Sequence, residues 1–213
     1  MKIPVARAGL NFIWPPFLLM IASLFFKIWP LALIFLLATA LLIYFFRDPE
    51  RKILARPGVL ISPADGRIVE IKKGESNQKI SIFLSLLDVH IVRSPIEGVI
   101  SSMEKKAGQN LPAFKSEASK LNQSLTLTIK NYQETIDLKM IVGVAARRLR
   151  CFVQPGERVS AGMRLGLMAF GSRVELSFPT HYVLKIDLNQ KVKGGITVLA
   201  EKEKGEKSHR ELA

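Results

Sequence analysis

Cysteine is nearly absent from this sequence, and its scarcity excludes two kinds of site. The single Cys151 cannot form a disulfide within the chain. It also lacks the regularly spaced Cys and His partners that a structural zinc site requires. The sequence therefore predicts neither a disulfide framework nor a metal site.

Acidic residues are also scarce, with 18 Asp and Glu against 31 Lys and Arg, so that the net charge is +13. A basic surface suits either nucleic acid or an anionic membrane. The sequence contains no ordinary nucleic-acid-binding motif, and no aromatic residues that could stack on bases are interleaved with the basic ones. Since the same chain carries long apolar runs, the charge favours a membrane surface as a partner. The missing motifs and stacking aromatics predict that nucleic acid is not a partner.

Two apolar runs, residues 12–26 and 28–46, stand near the start of the chain on either side of Lys27. The second is long enough to cross a bilayer, which takes about 20 residues. The first is shorter and contains Pro15 and Pro16. Basic residues, which prefer the cytoplasmic side, flank both ends of the region. These residues are Lys2, Arg7, Arg47, Arg51, Lys52 and Arg56. We therefore predict a helical hairpin that turns at residues 27–30, with both ends at the cytoplasmic face of the cell (inner) membrane. A simple uncleaved anchor is the alternative.

The rest of the chain predicts a mainly β domain. Short apolar or alternating runs are separated by Gly and Pro turns, as in a β sandwich or barrel. They are residues 59–61, 67–71, 79–87, 96–100, 125–129, 135–139 and 174–178. The turn-rich residues 153–166 resemble hybrid barrels of the biotinyl and lipoyl type. Helical content is expected only in residues 140–149, and residues 104–123 are predicted to form a long surface loop. We expect a membrane-associated region at 1–52, a β-rich domain at 53–200 and a charged flexible tail at 201–213.

Four short motifs hold the residue types that could carry chemistry, although each has an ordinary interpretation when it stands alone. A Gly-Ser pair is usually a turn, Asp-Gly is a strong hairpin signal, and one histidine after an apolar strand is usually structural. The motifs are Phe45-Phe46-Arg47-Asp48-Pro49-Glu50-Arg51, Ser62-Pro63-Ala64-Asp65-Gly66-Arg67, Asp88-Val89-His90 and Phe170-Gly171-Ser172-Arg173. In this order, over about residues 5–199, they resemble the short proenzymes of the phosphatidylserine decarboxylase family.

The resemblance implies that the chain cuts itself between Gly171 and Ser172. The products would be a β chain of residues 1–171 and an α chain of residues 172–213, which stay together as a heterodimer. Ser172 would become a covalent pyruvoyl group. Its ketone would form a Schiff base with the amine of a membrane phosphatidylserine and take up the electrons left when carbon dioxide departs. Gly171 suits this chemistry, because it removes the crowding of a Cβ atom next to the attacked carbonyl.

Two further catalytic residues follow from the resemblance. His90 would be the base that takes the serine proton, and Asp65 would orient an imidazole and stabilise its cation. Long members of the family have a second histidine where this chain has Arg93, and an arginine cannot act as a general base. Either His90 performs both tasks, or Asp65 acts on Ser172 in a different way.

Substrate-binding candidates come from the same comparison of motifs. Arg147 and Arg148 resemble an Ala-Arg-Arg segment of the family, and guanidinium groups bind phosphate with two hydrogen bonds. A solvated basic patch is the equally simple interpretation. Asn122 matches the asparagine of an Asn-Glu-Arg-like stretch, and Arg173 replaces a threonine of the long members.

Three other functions remain open from the sequence. A decarboxylase of archaetidylserine would use the same headgroup chemistry on ether-linked chains. A non-catalytic, membrane-anchored hybrid-barrel module would remain one uncut polypeptide. A membrane-anchored metallopeptidase is disfavoured, because the sequence lacks the His and Asp spacing of such a metal site.

Overall fold

This computed structural model describes residues 5–109, 111–112, 117–132, 134–143, 149–168 and 171–203. Its helical part is N-terminal and its remainder is mainly β, as predicted. The helices are a 3-10 turn at Arg7–Gly9, α1 at Leu10–Phe25, α2 at Trp29–Phe45 and a short α3 at Ala118–Leu121. The strands are β1 (Val59–Ile61), β2 (Gly66–Lys73), β3 (Asn77–Leu84), β4 (Ile91–Arg93), β5 (Gly98–Lys106), β6 (Ser124–Lys130), β7 (Thr135–Val142), β8 (Leu149–Cys151), β9 (Arg158–Val159), β10 (Arg164–Met168), β11 (Ser172–Pro179), β12 (Tyr182–Leu184), β13 (Lys191–Val192) and β14 (Val198–Lys202).

The two N-terminal helices form the predicted hairpin, and they turn at Lys27, whose φ is +57°. The expected order of lengths is reversed, however, when the 3-10 turn is counted together with α1. Arg7–Phe25, with 19 residues, is long and apolar enough to cross a membrane, whereas α2 has 17. The prolines expected to shorten the first run, Pro15 and Pro16, lie within α1. The early position of Pro30 suits the first turn of α2, where a backbone N–H is not needed.

Polar side chains within the hairpin bond to their own helix. The Ser23 hydroxyl donates to the carbonyl oxygen of Leu19, and the Thr39 hydroxyl donates to that of Phe35, both at 2.7 Å. A hydroxyl bonded in this way exposes no unsatisfied donor to an apolar solvent. The hairpin is thus suited to a lipid environment, and this together with the length of its first helix suggests membrane association.

An eight-stranded sheet forms the main layer of the β domain. Its strand order is β13-β2-β3-β11-β7-β6-β5-β9, and all the pairs are antiparallel. Two three-stranded sheets, β1-β14-β12 and β4-β10-β8, accompany it. The strand β11 lies in the interior of the large sheet between β3 and β7. Its alternate residues Val174, Leu176 and Phe178 belong to the main hydrophobic core.

The predicted run 79–87 ends as a strand at Leu84, and Leu86 and Leu87 are exposed in the turn that follows. Three other local expectations were wrong. Residues 140–142 belong to β7 and not to a helix, because β-branched Ile141 and Val142 pair with β11. Residues 104–106 extend β5 through pairing with β6, and α3 interrupts the predicted loop. Within the predicted tail, Glu201 and Lys202 complete β14 opposite β1 and β12. In each case, pairing with distant strands outweighs the local composition.

Candidate active site

The Gly171–Ser172 bond lies where the chain passes from one sheet to another. Before it, β10 ends at Met168 in the small sheet, and after it Ser172 begins β11 in the large sheet. Gly171 has φ +62°, in the left-handed region that favours glycine, and no described heavy atom lies within 4 Å of where a Cβ would stand. The bend therefore requires glycine for its backbone conformation, and not for lack of space.

The Ser172 side chain is fully buried, although it carries a polar group. Ser172 pairs with Leu84 on one side and Val142 on the other. Its hydroxyl has no hydrogen-bond partner within the described part of the chain. A buried polar group without a partner typically costs about 1–3 kcal/mol. Such a group calls for an explanation, and a reactive role provides one.

His90 is the second buried group with an unused polar atom. Its Nδ1 lies 2.9 Å from the carbonyl oxygen of Asp88, whereas its Nε2 has no partner among the residues described. Since a carbonyl oxygen can only accept, Nδ1 carries the proton in the neutral ring and Nε2 presents a free lone pair. The backbone of His90 also accepts a hydrogen bond from the N–H of Met168, at the end of the strand that leads to Gly171.

The environment of His90 keeps its ring neutral. Burial lowers the pKa of His90 to about 4, helped by the positive charge of Arg47 and opposed by the Asp88 carbonyl and the charges of Asp88 and Asp65. The imidazole is therefore uncharged at neutral pH and can accept a proton at Nε2.

The base of the helical hairpin covers His90. The ring of Phe45, the last residue of α2, lies 4.2 Å from the imidazole between centroids. Phe45 belongs to a small hydrophobic cluster that joins the hairpin to the strands on either side of the site. Its buried members are Ala6, Ala8, Phe45, Phe46, Val89, Ile91 and Leu167. The hairpin thus excludes water from the histidine.

Asp65 is held by an arginine that follows the hairpin. One carboxylate oxygen of Asp65 lies 2.7 Å from Nη2 of Arg51, and the other accepts the N–H of Gly194 at 2.8 Å. Nη1 of Arg51 donates to the carbonyl oxygen of the same Gly194. Asp65 stands directly before Gly66, where a Cβ would come within 2.2 Å of the Phe83 carbonyl oxygen. The Asp-Gly pair is therefore a constrained bend at the start of β2 that also presents a partly buried carboxylate.

Arg93, at the position of the second histidine in the long members, faces residues 46–58, the linker that joins the hairpin to β1 and contains Arg51. Its guanidinium bonds to Asp48 at 3.0 Å and to the carbonyl oxygen of Gly162 at 3.0 Å. Arg164 also binds Asp48. Arg93 is thus a buried ion-pair partner that connects the linker to the β domain.

Reasoning from the sequence missed the roles of Phe45, Asp48 and Arg51. The motif that contains them was visible, but their partners lie far along the chain. Arg51 and Asp65 are 14 residues apart, Asp48 and Arg93 are 45 apart, and Asp48 and Arg164 are 116 apart. Charge alone does not select among so many possible partners.

Asn122 is connected to the site through β7, the strand that pairs with β11 at Ser172. Its side-chain amide donates to the carbonyl oxygens of Val142 and Leu111, and its oxygen accepts the N–H of Leu111. Val142 pairs with Ser172. Asn122 therefore fastens the preceding loop to the strand beside Ser172, and its binding role remains a prediction.

Arg173 lies on the other face of β11 from Ser172, since side chains alternate along a strand. Its buried guanidinium binds Glu70 at 2.8 Å and Glu175 at 3.3 Å. This placement gives no support to a role in substrate binding. Arg147 and Arg148 lie outside the described residues.

Comparisons with known proteins agree on one family. Residues 38–200 match the family model described as phosphatidylserine decarboxylase. A phosphatidylserine decarboxylase proenzyme of Desulfotalea psychrophila is 37% identical over 208 residues, covering 94% of this chain and 97% of that protein. Proenzymes of the same name from Solibacter usitatus and Burkholderia lata are 40% and 36% identical, covering 80% and 93% of this chain and 84% and 87% of their own lengths.

Proposed function

Because this chain belongs to the phosphatidylserine decarboxylase family, we propose that it converts phosphatidylserine into phosphatidylethanolamine and carbon dioxide. We propose further that the required electrophile is a pyruvoyl group derived from Ser172. The observation that carries this proposal is the buried Ser172 hydroxyl, which has no hydrogen-bond partner among the described residues and directly follows the bend at Gly171.

Self-cleavage begins with the Ser172 hydroxyl attacking the carbonyl carbon of Gly171. The hydroxyl proton passes to Nε2 of His90, the peptide C–N bond breaks, and the nitrogen gains a proton, which leaves an ester. Removal of the Ser172 α-proton then expels the Gly171 carboxylate and leaves a carbon–carbon double bond. Water replaces the nitrogen, which departs as ammonia, and a ketone remains at position 172.

Two observations support this group: the Ser172 hydroxyl and Nε2 of His90 are both buried without a partner among the described residues, and Ser172 follows the bend at Gly171. When formed, it supplies a conjugated carbonyl that takes up the electron pair left by carbon dioxide. Both carboxylate oxygens of Asp65 are already bound, one by Arg51 and the other by the N–H of Gly194, whereas Nε2 of His90 has no partner among the described residues. Arg93, held by Asp48, cannot act as a base. Of the two possibilities left open by the sequence, we therefore favour the one in which His90 performs both tasks. Its Nε2 first accepts the serine proton and later returns a proton to the substrate carbon.

The two products of cleavage would remain associated, because β11 would belong to the α chain while its neighbours β3 and β7 belong to the β chain. β13 and β14 likewise pair with β2 and β1. A buried carboxylate adds to this contact: Glu134 binds His181 at 3.0 Å and Lys202 at 2.8 Å. The active form would thus be a heterodimer of residues 1–171 and 172–213.

The hairpin would hold the β domain at the cytoplasmic face of the cell inner membrane, where the lipid substrate lies. We propose residues 1–52 as the membrane-associated region and residues 53–200, completed by Glu201 and Lys202 of β14, as the catalytic domain. Arg147 and Arg148 are the proposed contacts to the lipid headgroup, and Asn122 would support binding by holding Leu111 against Val142 beside Ser172. An archaetidylserine substrate would meet the same groups, because only its chains differ.

The full-length protein, purified in detergent, tests the proposal by intact mass and phospholipid analysis. We expect a fragment of residues 1–171 and one that begins at position 172 with a ketone in place of an amine. Borohydride should reduce that ketone, and the preparation should convert phosphatidylserine into phosphatidylethanolamine. One unbroken chain in an active preparation would overturn the proposed chemistry.

Replacing Arg51 by Met is expected to slow self-cleavage about tenfold to a hundredfold, because the partly buried Asp65 carboxylate loses a charged partner. Arg51→Lys should recover part of the rate, and Arg56→Met, on the exposed part of the linker, should leave it unchanged. Fragment formation after a pH jump measures these rates, and an unchanged rate for Arg51→Met would exclude a positioning role.

A further inference from the structure

A tight turn with two exposed leucines lies between the strands that carry the site. β3 ends at Leu84, the partner of Ser172, and β4 begins directly after His90. In the turn between them, residues 85–88, Leu86 and Leu87 are 57% and 62% exposed. Two adjacent exposed leucines at the tip of a turn form a small apolar projection.

The turn is held in this conformation by its own polar groups. One carboxylate oxygen of Asp88 accepts both the backbone N–H and the hydroxyl of Ser85, at 2.8 and 2.6 Å. The backbone N–H of Asp88 donates in return to the carbonyl oxygen of Ser85. These bonds fix the backbone of the turn on which Leu86 and Leu87 are exposed.

The same turn is fastened to the end of the hairpin. Nη2 of Arg47 donates to the carbonyl oxygen of Leu87 at 2.6 Å, and Nη1 donates to that of Tyr44 at 2.8 Å. The guanidinium also lies 4.0 Å from the centre of the Tyr44 ring. Tyr and Arg at the end of an apolar helix mark the boundary between membrane and water. The backbone of Leu87 therefore stands at the level of that boundary.

We propose that residues 85–88, here called the leucine turn, insert Leu86 and Leu87 into the lipid leaflet that holds the hairpin. The proposal rests on the membrane association proposed above. A leaflet fits better than a protein partner, since a stable protein interface buries about 800 Å² on each side, far more than two side chains present. Insertion at the acyl boundary, by contrast, is stabilised by each apolar side chain separately. The basic charge of the chain also suits an anionic leaflet.

The position of the turn gives this contact a consequence for substrate access. The chain leads directly from the leucine turn to Leu84, beside Ser172, and to His90. An inserted turn would hold both groups at a constant depth below the headgroups, so that the serine headgroup reaches the site while its acyl chains stay in the leaflet. The leucine turn would therefore affect the capture of bilayer substrate and not the chemical steps.

The kinetic test uses the double variant Leu86→Ser/Leu87→Ser in the full-length protein. We expect normal self-cleavage, and an apparent KM for phosphatidylserine in vesicles raised about tenfold. The kcat on a short-chain phosphatidylserine dissolved as monomers should not change. Leu86→Met/Leu87→Met should restore the vesicle KM. Tyr132→Ser removes a fully exposed side chain near the opposite end of the sheet and serves as the control. An unchanged vesicle KM in the serine variant would overturn the proposal.

A direct test places an environment-sensitive fluorophore on Leu87→Cys in a Cys151→Ala background. Vesicles of phosphatidylethanolamine and phosphatidylglycerol should shift its emission to the blue, and brominated acyl chains should quench it. A fluorophore that stays accessible to aqueous iodide in vesicles, or that shifts without lipid as the protein concentration rises, would overturn the proposal. Failure of the unmodified protein to cut itself would instead count against the proposed function, since fluorescence does not depend on cleavage.

Discussion

Replacing Ser172 by alanine is expected to abolish self-cleavage and to lower decarboxylation by at least about four orders of magnitude. The variant keeps the backbone at Gly171 and loses only a hydroxyl that has no hydrogen-bond partner in the described part of the protein. Folding should therefore be unaffected or slightly improved, because a buried polar group without a partner is removed. Denaturing electrophoresis, intact mass and release of carbon dioxide from phosphatidylserine measure the outcome.

Ser177→Ala is the matched control for this variant. Ser177 stands on the same strand, but alternation places it on the other face of β11. Its loss should leave both cleavage and decarboxylation intact. Cleavage of the Ser172→Ala chain between Gly171 and Ala would show that another group attacks this bond.

Replacing His90 by glutamine is expected to slow self-cleavage by about 10²- to 10⁴-fold, the usual contribution of a general base. Glutamine fills a similar volume but cannot accept a proton at the position of Nε2. The rate at which the two fragments appear, measured from freshly made protein, reports the effect. His181→Gln is the control, because His181 binds Glu134 and lies outside the proposed site. A His90→Gln chain that cuts itself at the normal rate would remove His90 from the mechanism.

The pH dependence of cleavage gives a second measurement on the same residue. Burial lowers the pKa of His90 to about 4, and the ring acts as a base only when neutral, which is above that pKa. The rate should therefore be constant from about pH 8 to about pH 5 and should fall as the pH approaches 4. A solvent-exposed histidine would instead lose its rate around pH 6.5. The acid limb should be absent from the residual rate of His90→Gln.

Much of the fold was predictable from local patterns. Short apolar or alternating runs marked half of the strands that the structure describes, namely β1, β2, β3, β5, β6, β7 and β11, and the predicted run 59–61 coincides with β1. The apolar runs around Lys27 predicted the helical hairpin. These predictions hold because the period of a strand, the length of an apolar run and the breaks at Gly and Pro are properties of neighbouring residues.

The candidate site was predictable only as a set of motifs. Ser172, Gly171, His90 and Asp65 were named through a family resemblance, and their chemical roles remain proposals. The predicted strand covered residues 174–178, whereas β11 already begins at Ser172. The alternation of faces was therefore not applied to residues 172 and 173. Arg173 is next to Ser172 in the sequence, yet it lies on the opposite face of β11 and binds Glu70 and Glu175.

Local chemistry thus settled the types of element in this protein: an apolar hairpin, a mainly β domain and a glycine-serine junction between strands. Folding decided which groups meet. It brought the ring of Phe45 against the imidazole of His90, and it formed the ion pairs of Arg51 with Asp65 and of Asp48 with Arg93. Periodicity acts over a few neighbouring residues, whereas burial, ion pairing and the pKa of a buried imidazole depend on partners that come together only when the whole chain has folded.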